Sequence, residues 1–549
     1  MSKDLANTDK SDKAISKTSN FVKQAAILAA AVLIARFLGF LYRMPLTALI
    51  GNGGNGYYGA GYNVYLFLLI LSSVGLPAAI SKITAEHCAR GEFSAAHVVF
   101  RVSLRVAFVS GFICAAALFL GARPISDLIG NRFIYYSMLA LSPTVLIAAL
   151  SAVFRGYFMG LGTSVPTAVS QVIEQIFNAV FSVVLAYFFM KIILSGVPPE
   201  ALGAAGGTAG TGVGAMFGLI SSYCIYLLLK NNVFRRVNAD KTGYSYASDW
   251  QIAKKVIRTA LPIITGTAIF SFSSIVDMLM ANRLLMANGA HTRDQAVALY
   301  GLLTGKYVVL TTLPVSIATA LAAVVVPTVA ASVVKGDRAE TENKINTSFR
   351  LAMLITIPAA VGMAVLGDPI LAMLFPSYPD GGILLKVGAV SVVFLSLAQI
   401  STGILQGAGY LKTPAFAAFV GVLIKIPFNI FLIVIPSVNI LGAVYSTIAC
   451  YVAASAIDVF VIQKRLGSKL DFVSGVLKPL GAAACMGLVC YVAYYGAYAA
   501  VRSNAAACLI SIALGIASYI WFMFVFGGFR RADVRLIPFF KRYAHLIRE

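Results

Sequence analysis

The sequence predicts an all-α membrane protein with about fourteen spanning helices. Hydrophobic residues make up 59% of the chain and charged residues only 12%, whereas about a quarter of the residues in a soluble domain are charged. Apolar stretches of the roughly 20 residues that a membrane helix needs recur between Gln24 and Phe526. Short polar or glycine-rich joints separate these stretches, so nearly the whole chain is expected to lie in the bilayer.

Each apolar stretch is a separate predicted span, bounded by the polar residues on either side. The spans are 24–46, 62–84, 98–120, 134–157, 166–190, 208–230, 256–282, 298–331, 347–366, 382–406, 414–435, 438–462, 475–498 and 506–526. Because their number is even, the two ends of the chain are expected on the same side of the membrane.

Lysine and arginine residues are concentrated in every second joint. Such cation-rich joints face the cytoplasm in multi-pass membrane proteins. They contain Lys82 and Arg90; Lys230, Arg235, Arg236, Lys241, Lys254 and Lys255; Lys335, Arg338 and Lys344; Lys464, Arg465 and Lys469; and Arg530, Arg531 and Arg535. The intervening joints are poor in cations or mix charges of both signs, so both termini are predicted to be cytoplasmic.

The order of spans and joints favours a duplicated half, because the longest predicted cytoplasmic joint divides the first six spans from the remaining eight. Tyr58-Gly59 followed by Tyr65 is echoed, with the same spacing, by Tyr300-Gly301 followed by Tyr307, and internal repeats of this kind are common in transporters. The predicted parts are a disordered cytoplasmic tail at 1–20, an N-lobe at 21–230, a cytoplasmic linker at 231–255, a C-lobe at 256–462, two further helices at 475–526 and a basic cytoplasmic tail at 527–549.

Several classes of protein are disfavoured by the composition and by the absence of motifs. The net charge of +22 would suit a nucleic-acid binder, but the cations lie in alternate joints rather than on one basic face. The sequence contains no GxxxxGKS/T phosphate loop, no HExxH motif and no CxxC spacing among its seven cysteines. We expect no ATP hydrolysis, no cofactor and no metal site. A membrane-embedded transferase is disfavoured because the joints are too short for a catalytic loop.

Two arginines in the first span are candidate phosphate ligands. Arg36 and Arg43 are seven residues apart, close to two helical turns, so a regular helix places both on one face. A guanidinium fork binds phosphate oxygens in pairs and stays charged when partly dehydrated. The alternative is that Arg43 extends to the membrane interface and Arg36 pairs with an acidic neighbour.

Two of the acidic residues within predicted spans are candidate functional residues, because a charge facing lipid there costs roughly 2.5–3.5 kcal/mol. Glu174, flanked by Gln171 and Gln175, could contact the substrate together with Arg155, carry a proton, or only join the fifth helix to Arg155 of the fourth. Asp277 follows three serines of the seventh span, an arrangement that could form a cation site. Both are candidate ion-coupling residues.

Further polar side chains in the spans are candidate substrate-binding residues. Lys306 and Lys425 are cations that could attract an anionic headgroup, although Lys306 could equally be interfacial. Gln399 and Gln406 share one helix face and could bind sugar or peptide groups, although interhelical packing is the more common use of such amides.

Three segments resemble the MurJ and stage V sporulation protein B branch of the MOP exporter superfamily. They are Arg36–Phe40, Gly75–Lys82 and Arg155–Gln175, and the likeness extends over essentially all the spans. This resemblance implies a bacterial plasma-membrane protein with two pseudo-symmetric lobes of six helices each, arranged in a V around a central cavity. It also implies a lipid groove on the last two helices and arginines of the first helix in the cavity. Arg36 matches one of those arginines and Arg43 is displaced by one residue from the other. The acidic and arginine positions typical of the second span in Gram-negative members have no counterpart here.

The main functional hypothesis is a flippase that moves lipid II, an undecaprenyl-diphosphate sugar-peptide, to the outer leaflet by alternating access. Its partner would be this polyprenyl-linked glycan, with cell-wall synthesis proteins as candidate protein partners. The alternatives are a flippase for another polyprenyl-linked polysaccharide unit or a spore-cortex precursor, and an ion-coupled multidrug exporter. Transport is expected to be driven by Na⁺, H⁺, the membrane potential or the cargo gradient.

Overall fold

The structure is a computed structural model that describes residues 27–28, 30–238, 240, 248–287 and 289–528. Helices and turns account for nearly all of these residues and none of them lies in a strand, so the all-α prediction is confirmed. The predicted disordered tail at 1–20, the basic tail from 529 onward and linker residues 241–247 lie outside the described residues, as do Lys241, Arg530, Arg531 and Arg535.

Sixteen helices follow one another along the described chain. They are α1 (Ala30–Leu41), α2 (Arg43–Leu69), α3 (Leu76–Ala89), α4 (Phe93–Ile129), α5 (Ile134–Gly160), α6 (Val165–Met190), α7 (Pro199–Asn238), α8 (Asp249–Ala287), α9 (Arg293–Leu302), α10 (Val308–Lys335), α11 (Arg338–Leu374), α12 (Gly382–Gly407), α13 (Lys412–Ile433), α14 (Leu441–Leu466), α15 (Lys478–Val501) and α16 (Asn504–Val525). Short π-helical segments at Ile70–Val74, Leu303–Tyr307 and Val473–Leu477 precede α3, α10 and α15.

The number of apolar helices agrees with the predicted fourteen spans. Thirteen helical segments of the described chain are long and apolar enough to cross a membrane, and α1 is a shorter apolar helix. Their outer surfaces carry large exposed apolar side chains, such as those of Phe112, Ile113 and Leu120. Such surfaces are expected to face lipid, and the chain is a multi-pass membrane protein.

Two glycine-rich segments that lie wholly or partly in predicted joints are helical. Helix α2 runs through the predicted joint at 51–61 and is interrupted only at Gly51, where φ is 65° and ψ is −173°. Helix α7 begins at Pro199 and therefore includes the glycine-rich residues 203–214. In both places glycine serves close helix packing rather than a loop, a use that is common in membrane helices.

The packing of α7 on α6 shows what this glycine spacing does. Gly206, Gly210, Gly214 and Gly218 recur every four residues. A Cβ added at any of them would lie closer to atoms of α6 than van der Waals contact allows. At Gly214, for example, a Cβ would lie 2.7 Å from the Cβ of Asn178. The two backbones can approach closely only because these side chains are missing.

The chain forms two compact units. Among the described residues, the first contains those up to 42 together with 64–125 and 133–268, and the second contains 43–63, 126–132 and those from 269 to 528. The core of the first unit is built from α3, α4, α5 and the first part of α8. The core of the second is built from α10, α11, α12, α14, α15 and α16.

The two echoed Tyr-Gly motifs pack against each other within the second unit. A Cβ at Gly59 would overlap the side chain of Thr304, and a Cβ at Gly301 would overlap the backbone carbonyl of Asn52. The glycine of each motif therefore lies where the other segment approaches closely, although Asn52 lies seven residues before Gly59 and outside its motif.

Candidate functional site

Arg36 is an exposed cation on an otherwise apolar helix of the first unit. It lies in the middle of α1, between exposed apolar residues such as Leu33 and Phe37. Gly39, one turn further along α1, faces Gln175 of α6, whose Oε1 would lie 3.6 Å from a Cβ at that glycine. Within the described residues the Arg36 side chain forms no hydrogen bond or ion pair. Its guanidinium is therefore available to an anion.

Arg155 and Glu174 form an ion pair in the same unit, close to the α1–α6 contact. One guanidinium nitrogen of Arg155 donates to Glu174 Oε2, and its Nε donates to Ser170 Oγ over 3.2 Å. Gly218 of α7 leaves room for the pair, because a Cβ there would lie 2.9 Å from Glu174 Oε2. One of the roles predicted for Glu174 was to join the fifth span to Arg155 of the fourth, and the structure contains this contact. Both side chains are partly accessible, so a substrate contact stays a prediction.

Arg43 has a different environment from Arg36, although the spacing predicts a shared face. The first helix ends at Leu41, Tyr42 forms a turn, and Arg43 begins α2 in the second unit. Its side chain is buried, with the guanidinium carbon 4.2 Å from the ring centroid of Tyr58. Such a cation–π contact stabilises a desolvated guanidinium.

Lys306 is buried in the second unit rather than interfacial. Its ammonium donates to the backbone carbonyls of Tyr378 and Asp380 over 2.5 and 2.9 Å. These two residues lie in the connection between α11 and α12. The lysine therefore fixes that connection to the π-helical segment before α10, and a role in substrate binding stays a prediction.

Asp277 and Lys425 meet in the interior of the second unit. Lys425 Nζ of α13 donates to Asp277 Oδ2 of α8 over 2.5 Å and to Ser273 Oγ over 3.0 Å. Asn429 Nδ2 donates to Asp277 Oδ1 over 3.0 Å, and Ser446 of α14 donates to Asn429 Oδ1 over 2.6 Å. All five side chains are buried. We call these five residues the α8–α13–α14 polar cluster.

The two glutamines of α12 are more accessible than the charged pairs. Gln399 is half-buried and Gln406 is exposed. Neither side chain forms a hydrogen bond within the described residues. Both amides are therefore free to bind a polar group.

Three functional candidates were missed by sequence reasoning. Asn429 and Ser446 complete the polar cluster, and the signal for Asn429 is its spacing of one helical turn from Lys425. Asp458 of α14 is buried within an apolar stretch, and its Oδ1 has no hydrogen-bond partner among the described residues. A charged residue inside a predicted span is a visible signal, so Asp458 could have been found.

No group of His, Cys, Asp and Glu residues in the described part of the chain could hold a metal ion.

Comparison with known proteins identifies the family. The polysaccharide biosynthesis protein family matches residues 21–333, which is more than half of the 549 residues, and the MatE family matches residues 262–431. The chain is 26% identical to the membrane protein YabM of Bacillus subtilis (strain 168) over 98% of both chains. It is 25% identical to the lipid II flippase MurJ of that organism, over 96% of this chain and 99% of MurJ. It is also 25% identical to stage V sporulation protein B of that organism, over 95% and 98%.

Solved structures show the same fold. A lipid II flippase MurJ in an inward closed conformation matches 91% of this chain and 98% of its own, with a TM-score of 0.66 and 15% identity. An inward-facing multidrug resistance MATE transporter of the MOP superfamily matches 81% and 98%, with a TM-score of 0.65 and 14% identity. These names are those of a flippase and a transporter, not of enzymes. The resemblance predicted from the sequence is confirmed: this multi-pass membrane protein belongs to the polysaccharide biosynthesis protein family and has the fold of the MOP-superfamily transporters.

Proposed function

We propose that the chain is a flippase for a polyprenyl-diphosphate-linked glycan and that lipid II is its cargo. The observation that carries this proposal is the exposed guanidinium of Arg36 on the apolar helix α1, which has no hydrogen-bond or ion-pair partner among the described residues. A cation in a membrane span is expected to face water, a counter-ion or cargo, because facing lipid costs roughly 2.5–3.5 kcal/mol. The other four predicted cations already have partners, so Arg36 is the member of that set best placed to bind an anion.

A diphosphate suits this arginine chemically. The guanidinium has several N–H donors in one plane and binds two phosphate oxygens at once. Gln175 lies beside the same helix and carries a neutral amide, which can donate to an oxygen of the headgroup. The charges of Arg155 and Glu174 cancel each other, so the net positive charge near α1 comes from Arg36.

The relatives support this cargo class. MurJ of Bacillus subtilis is named a lipid II flippase and aligns over nearly the whole of both chains. Stage V sporulation protein B aligns almost as fully, so a spore-cortex precursor or another polyprenyl-linked unit is the alternative within the same class. Movement from the inner to the outer leaflet by alternating access, with both termini in the cytoplasm, is part of the proposal, as is association with cell-wall synthesis proteins.

A second candidate function is multidrug export. It is favoured by the MatE family match at residues 262–431 and by the fold shared with a MATE transporter. An exporter of this type would use Asp277 and Glu174 as coupling carboxylates. In this chain each of them is paired with an internal cation, and this arrangement favours the flippase.

The experiment that tests the proposal is a cargo panel in proteoliposomes. Purified protein is reconstituted with lipid II, with a polyprenyl-diphosphate disaccharide that lacks the peptide, or with a cationic dye, and protein-free liposomes are the control. The proposal predicts protein-dependent translocation of lipid II and no dye transport. Translocation of the disaccharide lipid but not of lipid II would indicate that the cargo is a different lipid-linked glycan. Dye transport without glycan translocation would favour the exporter.

A further inference from the structure

The α8–α13–α14 polar cluster has the composition of a site for a small cation. It offers the carboxylate of Asp277 and the hydroxyl oxygen of Ser273, both buried on helix α8. Oxygen ligands of this kind are those that hard cations prefer. The cation that the structure places there is the ammonium of Lys425, 2.5 Å from Asp277 Oδ2 and 3.0 Å from Ser273 Oγ.

The framework of the cluster does not depend on the lysine. Asp277 Oδ1 accepts from Asn429, and Asn429 Oδ1 accepts from Ser446, so α8, α13 and α14 are joined without Lys425. Asp277 and Ser273 are one turn apart on α8, and Asn429 and Lys425 are one turn apart on α13. Removal of the lysine side chain would leave the carboxylate in place with a vacant volume beside Oδ2.

The charge of the cluster selects a monovalent cation. Asp277 contributes one negative charge, and the Ser273, Asn429 and Ser446 side chains of the cluster are neutral. One positive charge neutralises this buried site, whereas a divalent ion would leave it with an unpaired charge, which is strongly unfavourable in a low-dielectric interior.

We propose that the ammonium of Lys425 is a tethered cation that occupies a monovalent-cation site in the second unit. The chain therefore needs no sodium ion at this site, and shortening the Lys425 side chain opens the site to Na⁺. The inference concerns cation binding by the fold and is independent of which cargo is moved. A failed sodium test would leave the cargo panel unaffected, and a failed cargo panel would leave the sodium test unaffected.

The test is thermal unfolding of the full-length protein in detergent, in NaCl or in choline chloride at equal ionic strength. The unmodified chain is expected to unfold at the same temperature in both salts. Lys425→Ala is expected to unfold at a lower temperature in choline and to regain stability with NaCl in a saturable manner, because a ligand that binds only the folded state stabilises it. The double variant Asp277→Asn/Lys425→Ala, which lacks the carboxylate, is the matched control and is expected to show no sodium effect.

Two outcomes would overturn the proposal. One is a saturable, sodium-specific stabilisation of the unmodified chain, since the site would then bind Na⁺ despite the lysine. The other is a folded Lys425→Ala protein with equal unfolding temperatures in the two salts. If Lys425→Ala aggregates in both salts, Lys425→Asn, which keeps a polar side chain, is measured in the same way, and the absence of a sodium effect there also rejects the proposal.

Discussion

The ammonium of Lys425 lies 2.5 Å from Asp277 Oδ2, although 148 residues separate the two in the chain. Both side chains are buried. Burying a carboxylate or an ammonium is unfavourable unless its attraction to a partner of opposite charge offsets the loss of hydration. The contact therefore joins α13 to α8 in the interior of the second unit.

Removal of one partner of this pair should destabilise the protein far more than removal of both. Asp277→Ala leaves an uncompensated ammonium and is expected to lower the free energy of unfolding by about 3–5 kcal/mol. The double variant Asp277→Leu/Lys425→Met, which has no buried charge, is expected to recover most of that loss. Chemical unfolding of Asp277→Leu, Lys425→Met and the double variant gives the coupling energy directly. Losses that simply add would show that the two residues do not stabilise each other.

Lys306 is expected to stabilise the connection between α11 and α12. Lys306→Met removes the donor for two backbone carbonyls and should cost about 1–3 kcal/mol. Hydrogen exchange should quicken at residues 375–381, where those carbonyls lie. Lys335→Met, at an exposed position, is the control. Equal exchange in both variants would contradict the assigned role of Lys306.

Asp458 should respond differently from Asp277, although both are buried aspartates. Its Oδ1 has no hydrogen-bond partner among the described residues, so Asp458→Asn removes a potential charge without breaking a described contact. We expect the unfolding temperature of Asp458→Asn to equal or exceed that of the unmodified chain. Asp277→Asn should lower it, because Lys425 loses its counter-ion. A matching decrease in the two variants would indicate that Asp458 has a stabilising partner.

The close contact between α6 and α7 should not tolerate an added methyl group at Gly210. A Cβ there would overlap the backbone of Phe181 and Ser182, and overpacking of this kind costs typically about 1–3 kcal/mol. Gly362→Ala is the matched control, since nothing lies within 4 Å of its Cβ position, and alanine there should be neutral or stabilising. Thermal unfolding distinguishes the two variants, and an unchanged unfolding temperature for Gly210→Ala would contradict the described packing.

Much of the fold follows from hydrophobic patterning. From α4 onward every helix overlaps a predicted apolar stretch, because a membrane span requires a long apolar segment. One stretch covers both α9 and α10, and α4, α7 and α11 extend up to nine residues beyond their stretches. The patterning failed at residues 51–61 and 199–207, where predicted joints are helical. Glycine is read as a turn residue in soluble proteins, whereas in membrane helices it also permits close packing, and the local sequence does not distinguish these uses.

The individual charged residues of the sites could be predicted from the sequence, but most of the contacts between them could not. Asp277 and Lys425 were each visible as charges inside an apolar span, yet nothing in their local sequences shows that they contact each other. Lys306 seemed able to reach the membrane interface, but it is held by carbonyls of a connection 72 and 74 residues away. The Arg155–Glu174 pair was foreseeable, because the residues lie on consecutive helices joined by a short turn.

The central claim is that Arg36 binds the anionic headgroup of the cargo. The most direct measurement is the rate of lipid II translocation in proteoliposomes that contain equal amounts of unmodified protein, Arg36→Ala, Arg36→Lys or Arg105→Ala, the last being an exposed arginine on α4. Loss of a charge-assisted contact of about 1.5–3 kcal/mol predicts a rate for Arg36→Ala that is roughly 10- to 100-fold lower, with partial activity for Arg36→Lys and little change for Arg105→Ala. An Arg36→Ala protein that moves lipid II at the unmodified rate would contradict the claim.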